Sequence, residues 1–182
     1  MQSIPPFKKC IHLLLENSVP EQIISHLLFT AQTAMNIAQY LKNKDYSLNC
    51  DLILAGALLH DIGRSRSHNI DHGILGGQIL KMYGFSDELV SIVEKHIYAG
   101  ISADEAKDLG LPTKDYIPKT YEEKIVAYAD NISKTNELLT LEQVLNRFKR
   151  YLPDSHSILV RVRELHEEFE TLIQDNDEEV RI

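Results

Sequence analysis

The chain has 182 residues, of which 43% are hydrophobic and 25% are charged, and its net charge is −8. Such a composition is typical of a soluble protein with enough residues for one well-filled domain. The acidic balance and the lack of a basic block argue against a groove that runs along DNA or RNA. No apolar run is long enough to span a membrane and no secretory signal is recognisable, while Cys10 and Cys50 suit a reducing compartment. We therefore expect a cytoplasmic protein with no membrane or nucleic-acid polymer as partner.

Helical patterns follow one another along the chain, without β alternation or internal repeats. A short helix over Phe7–Leu15 precedes a long helix over Glu21–Lys42, and Asn49 opens a third helix that ends at His60. Start signals predict the later helices. These signals lie near Asp71, Ser86, Ser102, Thr120, Thr140 and Pro153. The predicted fold class is all-α.

We predict a single compact helical domain over residues 1–182. Its core spans about 21–135, C-terminal helices occupy 136–175, and an acidic tail follows at 176–182. The last helix carries apolar residues at helical spacing, which favours packing against the core. Its charged face leaves a homodimer open.

One stretch near the middle combines apolar and polar residues in an unusual way. The apolar run Leu52–Leu59 ends abruptly at His60 and Asp61. Burying an unpaired carboxylate is costly, so the pattern predicts a counter-charge, most simply a metal ion. Pairing with Arg64 is the ordinary alternative. Gly63 is expected to end the helix in a left-handed cap.

Four more polar side chains intrude on apolar helical faces: His26, His72, His96 and Asp130. Each alone has an ordinary interpretation as a core histidine, a solvated helix start or a buried hydrogen-bond acceptor. Together they favour one metal site, because divalent ions take imidazole nitrogen and carboxylate oxygen, and helices hold such ligands rigidly. The absence of cysteine among them argues against a structural zinc site of the cysteine type.

This pattern resembles a known family. His26, His60-Asp61 and Asp130 are similar to the H…HD…D motif of the HD-domain metal-dependent phosphohydrolases, and Ile62-Gly63 completes the HDIG variant. The resemblance covers Glu21 to Lys134. It points to the short, mainly archaeal and uncharacterised members.

The resemblance implies two divalent metal ions, with iron as first choice and manganese, cobalt, nickel, zinc or magnesium as alternatives. Asp61 would bridge the two ions. The second ion would depend on the extra histidines that two-metal members carry. The implied ligands are His26, His60, Asp61 and Asp130 for the first ion, and His72 and His96 for the second.

The function implied by the resemblance is a phosphohydrolase or phosphodiesterase that cleaves a small nucleotide-like or cyclic phosphate ester by metal-activated hydroxide. Phosphoryl transfer also needs cations that position the phosphate. The candidate catalytic residues are Asp61, Arg64, Lys114 and Lys134. We expect the loop at 98–119 to set specificity through Lys114, Tyr116 and Lys119.

Departures from other relatives narrow the substrate only partly. The lack of a GYP motif disfavours a cyclic dinucleotide phosphodiesterase, and the chain is too short for the deoxynucleotide triphosphohydrolases or the stringent-response forms. Similar two-metal layouts occur in a bacterial hydrolase of diadenosine tetraphosphate and in an archaeal phosphodiesterase of dihydroneopterin cyclic phosphate. Two alternatives stay open: a single-metal 5′-nucleotidase, and a catalytically inactive module that binds a metal or a nucleotide.

Overall fold

The computed structural model describes residues 3–154 and 156–174, and the predicted all-α class is confirmed. Within these ranges the chain forms nine α-helices and one hairpin of very short strands. The helices are α1 (Phe7–Glu16), α2 (Glu21–Lys42), α3 (Cys50–Leu59), α4 (His72–Met82), α5 (Asp87–Lys95), α6 (Ala103–Asp108), α7 (Tyr121–Ile132), α8 (Leu141–Phe148) and α9 (Ser157–Gln174). The predicted acidic tail at 176–182 lies outside the described residues.

Helix α3 is the apolar centre of the fold, and it packs against α1, α2, α5 and α7. Its start follows the prediction, because the Asn49 side chain accepts a hydrogen bond from the Leu52 backbone N–H at 3.1 Å. Its residues are almost all buried, as its lack of charge between Leu52 and Leu59 predicts. Because α3 is surrounded by other helices, its last turn delivers His60 into the interior.

The capping signals account for most of the helix starts. Capping boxes form at the predicted helix starts Thr120 and Thr140. In each, the threonine side chain accepts a hydrogen bond from the backbone N–H three residues later, and the side chain of that residue accepts one from the threonine backbone N–H. Ser86 likewise caps α5. Asp71 makes no capping bond, because its carboxylate accepts a hydrogen bond from the Ser67 hydroxyl at 2.5 Å instead.

A hairpin separates α7 from α8, where the sequence shows no strand pattern. Strands β1 (Ser133–Lys134) and β2 (Glu137–Leu138) pair antiparallel, with Ser133 opposite Leu138. Thr135 adopts a positive φ of 55° in the connecting turn. The hairpin reverses the chain and brings α8 back beside the end of α7.

Helix α9 packs on the core, as its apolar spacing predicts. Phe169 is fully buried and stacks on Tyr128, with ring centroids 4.6 Å apart and planes 6° from parallel. Tyr40 donates a hydrogen bond to the Ile173 carbonyl and Lys44 donates to the Leu172 carbonyl. These two hydrogen bonds attach the last described turn of α9 to α2 and to Lys44, which follows α2.

Within the described ranges, no helix combines the length and apolar character needed to cross a bilayer.

Gly63 does not form the predicted left-handed cap. It lies in a single 3₁₀ turn, Ile62–Ser65, and its φ is not positive. Glycine is needed there for a different reason: an added Cβ would overlap the His72 carbonyl oxygen and would lie 2.6 Å from the Gly76 amide nitrogen. Gly63 thus lets the start of α4 approach the end of α3 closely.

We expect Gly63→Ala to lower the free energy of unfolding by about 3 kcal/mol or more, because the clash is with backbone that cannot move aside. Urea denaturation measures this loss. Gly110→Ala is the matched control, since its added methyl group meets open space and costs only the strain of a positive φ, about 1 kcal/mol. Equal losses in the two variants would show that the close approach at Gly63 is unimportant.

A partly buried carboxylate links α6 to α9. Glu105 is paired with Arg161 and accepts a hydrogen bond from Ser157. Burial alone would raise the pKa of Glu105, but these partners and the Ser102 backbone N–H lower it to about 2. A lowered pKa in the folded state contributes stability above the ordinary pKa of about 4.3, and this contribution is lost as pH falls towards 2.

We therefore expect Glu105→Gln to be destabilising at pH 7, with the difference from the unaltered protein shrinking between pH 5 and pH 3. Urea unfolding curves at several pH values measure it. A difference that grows on acidification would contradict the assignment of the pKa shift to these contacts.

Candidate metal centre

The structure brings the six predicted ligand residues together where several helices end or begin. His60 follows the last residue of α3, His96 follows α5, and His72 is the first residue of α4. Asp61 follows His60 directly. Helices α2 and α7 supply the remaining two, His26 and Asp130.

Three of the histidines are held by the same kind of contact with the backbone. In His60, His72 and His96 the ring Nδ1 lies within hydrogen-bond distance of the carbonyl oxygen three residues earlier. The acceptors are Ala57, Asn69 and Val93, at 2.9, 2.6 and 2.8 Å. Because carbonyl oxygen can only accept, Nδ1 carries the proton and Nε2 is left with a lone pair. Metal-binding histidines are typically oriented in this way.

The lone pairs of His72 and His96 point at each other. Their Nε2 atoms are 3.1 Å apart, and Asp61 Oδ1 lies 3.0 Å from the first and 3.5 Å from the second. Three acceptors at such distances repel one another unless a cation lies among them. This arrangement suits a divalent ion better than a hydrogen-bonded network of side chains.

The other half of the centre also places a carboxylate among imidazole nitrogens, and here His26 Nε2 and Asp130 Oδ1 are within hydrogen-bond distance. Asp130 Oδ1 lies 2.9 Å from His26 Nε2 and 3.3 Å from His60 Nε2. Both His60 Nε2 and Asp61 Oδ1 are buried and make no hydrogen bond. Buried polar atoms without a partner are rare, and a metal ion bound at the centre would satisfy both of these.

Two groups of donor atoms share the centre. His26, His60 and Asp130 form one group, and His60, Asp61 and His96 form the other, with the donor atoms of each group within 4.8 Å of one another. His60 therefore belongs to both. Asp61 directs Oδ1 to the His72 and His96 side, while its Oδ2 lies 3.9 Å from His60 Nε2. The bridging role of Asp61 remains a proposal.

The electrostatics of the centre favour bound positive charge. Burial would raise the pKa of Asp61 and of Asp130, but the surrounding histidines hold both values well below the usual range. Burial lowers the pKa of His96, so that imidazole is neutral near pH 7. The pKa of His60 is raised despite burial, because Asp130 and Asp61 attract positive charge to its ring. The two ionised carboxylates thus create a demand for a cation.

The centre lies in a cleft of about 710 Å³, which is in the range of small-molecule sites. His60 is fully buried beneath it, while the other five candidate ligands line it. Basic side chains in the lining are Arg64, Arg147 and His68. Arg64 donates from Nε to Asp61 Oδ2 at 2.6 Å, which places a guanidinium beside the candidate ligands.

The HD domain family matches residues 23–135, which include the six candidate ligands. The chain belongs to the HD domain family. Members of this family bind divalent metals and are generally metal-dependent hydrolases. The family resemblance carried by His26, His60-Asp61 and Asp130 is therefore confirmed.

Relatives of this HD-domain chain fall into three kinds. An uncharacterised protein of Methanocaldococcus jannaschii is 41% identical over 92% of the chain and 99% of that protein. A protein of Thermoplasma volcanium named tRNA (cytidine(56)-2′-O)-methyltransferase is 41% identical over 96% of the chain, which spans only 50% of that protein. Ribonuclease Y of Fervidobacterium nodosum is 32% identical over 77% of the chain and 23% of its own length. No solved structure gives a significant match.

Two of the basic residues predicted to act in catalysis do not line the HD-domain cleft. Lys114 pairs with Glu94, and Lys134 pairs with Glu137 at 3.1 Å on an exposed surface. Each ammonium group instead pairs with a carboxylate outside the lining of the cleft. The structure thus brings only Arg64 of the three cations to the candidate ligands.

The predicted specificity loop also differs from expectation. Tyr116 is 2% exposed and donates its hydroxyl to the Pro112 carbonyl, so it cannot stack on a substrate ring. Lys119 pairs with Asp115 at 3.3 Å. From this loop, only Tyr98 and Leu109 line the cleft.

Sequence reasoning missed Arg147 and Asn131. Arg147 Nη2 donates to the Asn131 carbonyl at 2.9 Å, and the Asn131 amide donates to the Tyr98 carbonyl at 2.5 Å. Asn131 directly follows Asp130, so it was the one neighbour that position alone could have indicated. Arg147 reaches the cleft only because the hairpin folds α8 back, and no local signal predicts that.

Proposed function

We propose that this HD-domain protein is a phosphohydrolase, dependent on two divalent metal ions, that cleaves a small nucleotide-like phosphate mono- or diester. The main observation behind the proposal is the pair of Nε2 atoms of His72 and His96, 3.1 Å apart and facing Asp61 Oδ1. These electron-rich atoms repel one another in the absence of a cation, so the site is well suited to metal binding. It lies at the base of a cleft that also presents guanidinium groups.

The side chains of the site would divide the work. His26, His60 and Asp130 would hold one ion, and His72 and His96 the other, with Asp61 between them. Bound ions of this kind lower the pKa of water and offset the charge that develops on a phosphoryl group. The Nδ1 contacts to backbone carbonyls keep the imidazoles fixed, so little reorganisation is needed when substrate arrives.

Arg64 and Arg147 are proposed to position the phosphate. Each guanidinium has five N–H donors, and Arg64 uses Nε on Asp61 while Arg147 uses Nη2 on the Asn131 carbonyl. The donors that remain can bind phosphoryl oxygens in the cleft. Anchoring each guanidinium beside a candidate metal ligand limits the entropy lost when the substrate binds.

We expect Arg147→Gln to reduce kcat/KM for a phosphate ester by about 10- to 100-fold, the usual effect of losing a hydrogen bond to a charged group. Arg150→Gln, an exposed change just beyond α8, is the matched control and should leave kcat/KM unchanged. If Arg147→Gln behaves like the control, Arg147 has no role in binding the phosphate.

The proposal as a whole is tested by a substrate panel. The protein is stripped with a chelator, reconstituted anaerobically with Fe²⁺, Mn²⁺, Co²⁺, Ni²⁺, Zn²⁺ or Mg²⁺, and offered nucleoside monophosphates, 2′,3′-cyclic nucleotides, dinucleoside polyphosphates and bis-p-nitrophenyl phosphate. Metal-dependent release of phosphate or alcohol from at least one ester is expected. No turnover with any combination would contradict the proposal and favour an inactive binding module.

A second candidate is cleavage of a phosphodiester in a short RNA. It is favoured by the sequence similarity to a protein named Ribonuclease Y and to proteins named tRNA (cytidine(56)-2′-O)-methyltransferase. The net charge of −8 disfavours a long polyanion, and the absence of a nucleic-acid polymer as partner stays a prediction. Adding short oligoribonucleotides to the panel separates the candidates: faster turnover of these than of mononucleotides would favour RNA.

A further inference from the structure

One wall of the cleft comes from outside the part of the chain that matches the HD domain family. Arg147, Phe148, Tyr151 and Leu152 line the same cleft as the candidate metal ligands, whereas the family match ends at residue 135. The family likeness therefore assigns no role to this wall. The chemistry of its own side chains indicates what the wall binds.

The wall forms a rigid aromatic corner with Tyr98, which lies inside the family match. The rings of Tyr98 and Phe148 meet edge to face, with centroids 4.7 Å apart and planes at 89°. Tyr98 has a positive φ of 58°, an uncommon backbone conformation for a residue with a side chain, and the Asn131 amide holds its carbonyl. Strained residues of this kind persist where the surrounding structure fixes them, and they are common in ligand sites.

Tyr151 completes the wall and is unusually exposed for an aromatic side chain. It is 78% exposed, as exposed as any large apolar or aromatic side chain in the described ranges, yet it lines the cleft. An aromatic ring left this open gains burial when a flat ligand covers it. Its position at the cleft suggests that the ligand is the substrate rather than another part of the chain.

The remaining lining fits a ligand with a planar ring and a nearby negative charge. Ile97 and Leu109 add apolar surface, and the Arg147 guanidinium lies 4.7 Å from the centre of the Phe148 ring. Aromatic faces with an adjacent guanidinium bind nucleobases by stacking, with little dependence on which base is present.

The wall also lies within nucleotide reach of the metal centre. Tyr98 comes two residues after His96, and Asn131, which holds both Tyr98 and Arg147, comes directly after Asp130. Two residues span at most about 7 Å of backbone. A ring on this wall and a phosphoryl group at the candidate ligands can therefore belong to one small molecule.

We propose that Tyr98 and Tyr151, supported by the buried Phe148 ring, form a nucleobase subsite, so that the substrate is a nucleoside phosphate rather than a sugar or polyol phosphate. The proposal rests on the proposed function for the chemistry at the metal centre. It adds that the C-terminal segment, outside the family match, selects ring-bearing esters. We expect little selectivity among the nucleobases, because every nucleobase can stack on an aromatic ring.

Binding of nucleosides that carry no phosphate tests the subsite without relying on catalysis. Adenosine, guanosine, cytidine and uridine are titrated into the full chain and followed by ligand-observed NMR, with ribose as the ringless comparison. We expect at least one nucleoside to bind and ribose not to bind. Tyr151→Ala should weaken nucleoside binding at least about fivefold, the lower end of the effect of losing one stacking partner.

Tyr83→Ala is the matched control, because Tyr83 is partly exposed and lines a separate, smaller pocket. It should leave nucleoside binding unchanged. When glycerol 2-phosphate is added to the substrate panel, Tyr151→Ala should also lower the ratio of kcat/KM for a nucleotide to that for glycerol 2-phosphate, while Tyr83→Ala leaves the ratio unchanged.

The two proposals fail in different ways. Nucleoside binding that depends on Tyr151, without cleavage of any ester, supports the subsite and contradicts the proposed function. Ester cleavage without nucleoside binding contradicts the subsite and leaves the function standing. Equal weakening by Tyr151→Ala and Tyr83→Ala also contradicts the subsite, because the loss would then be general.

Discussion

Asp61→Ala is expected to abolish hydrolysis of phosphate esters, with a loss of a thousandfold or more, on the order of what metal ligation and charge stabilisation contribute. Asp61 is the residue on which the site depends most, because its carboxylate faces His72 and His96 through Oδ1 and Arg64 through Oδ2. Removing it takes away a candidate ligand and also frees the guanidinium that it orients. Turnover of bis-p-nitrophenyl phosphate in metal-reconstituted protein measures the effect.

Two further variants make this result specific. Asp61→Asn keeps the size of the side chain and loses its charge, so it should also be inactive while folding normally, as circular dichroism would show. Asp51→Asn, an exposed change in the first turn of α3, the helix that precedes Asp61, should retain full activity. Substantial turnover in Asp61→Ala would refute the assignment of the site.

Removal of the metal ions is expected to lower the melting temperature by roughly 10 °C. A ligand present at about a thousand times its Kd stabilises the folded state by about 4 kcal/mol, and each kcal/mol corresponds to about 2–4 °C in a chain of this size. The physical cause is the crowding of acceptors at the centre: without a cation, the facing Nε2 atoms of His72 and His96 repel each other. Differential scanning calorimetry of reconstituted and chelated protein measures the shift.

Histidine variants show how much of this change in melting temperature comes from each of the two proposed ions. His96→Ala should reduce the metal-dependent increase in melting temperature while leaving part of it, because the ligand group of His26, His60 and Asp130 remains. His166→Ala is a useful control, since His166 packs against Tyr128 away from the cleft. A melting temperature that does not respond to chelation in the unaltered protein would contradict metal binding at this centre.

Local signals in the sequence were sufficient for most of the fold. Capping residues such as Thr120 and Thr140 act within one turn of helix, and the apolar run of α3 needs no partner to be recognised as buried. The errors arose where distant segments meet. Gly63 is glycine because α4 approaches it, which a sequence pattern does not reveal, and the hairpin at 133–138 is too short to show strand alternation.

The candidate site shows the same division between local and distant information. His60 and Asp61 were recognisable as polar residues that end an apolar helix. The other four candidate ligands were recognisable as polar residues on apolar helical faces, and the family motif then implied how the six share two ions. The lysines were predicted from position alone, and Lys114 and Lys134 proved to be drawn to Glu94 and Glu137. The sequence position of a flexible lysine does not predict which carboxylate its ammonium group will pair with.

The wall formed by α8 lies beyond what the sequence could predict. Arg147, Phe148 and Tyr151 read as part of an ordinary amphipathic helix and its end. Only the reversal of the chain at the hairpin turns them towards the cleft. The part of the site most relevant to substrate selection was therefore the part that required the structure.

The number of metal ions per chain is the measurement that tests the central claim most directly. Protein reconstituted anaerobically, freed of loosely bound metal and analysed by elemental mass spectrometry should contain two divalent ions per chain. One ion per chain would contradict the role of His72 and His96 and favour a single-metal 5′-nucleotidase. No retained ion would contradict the metal centre itself.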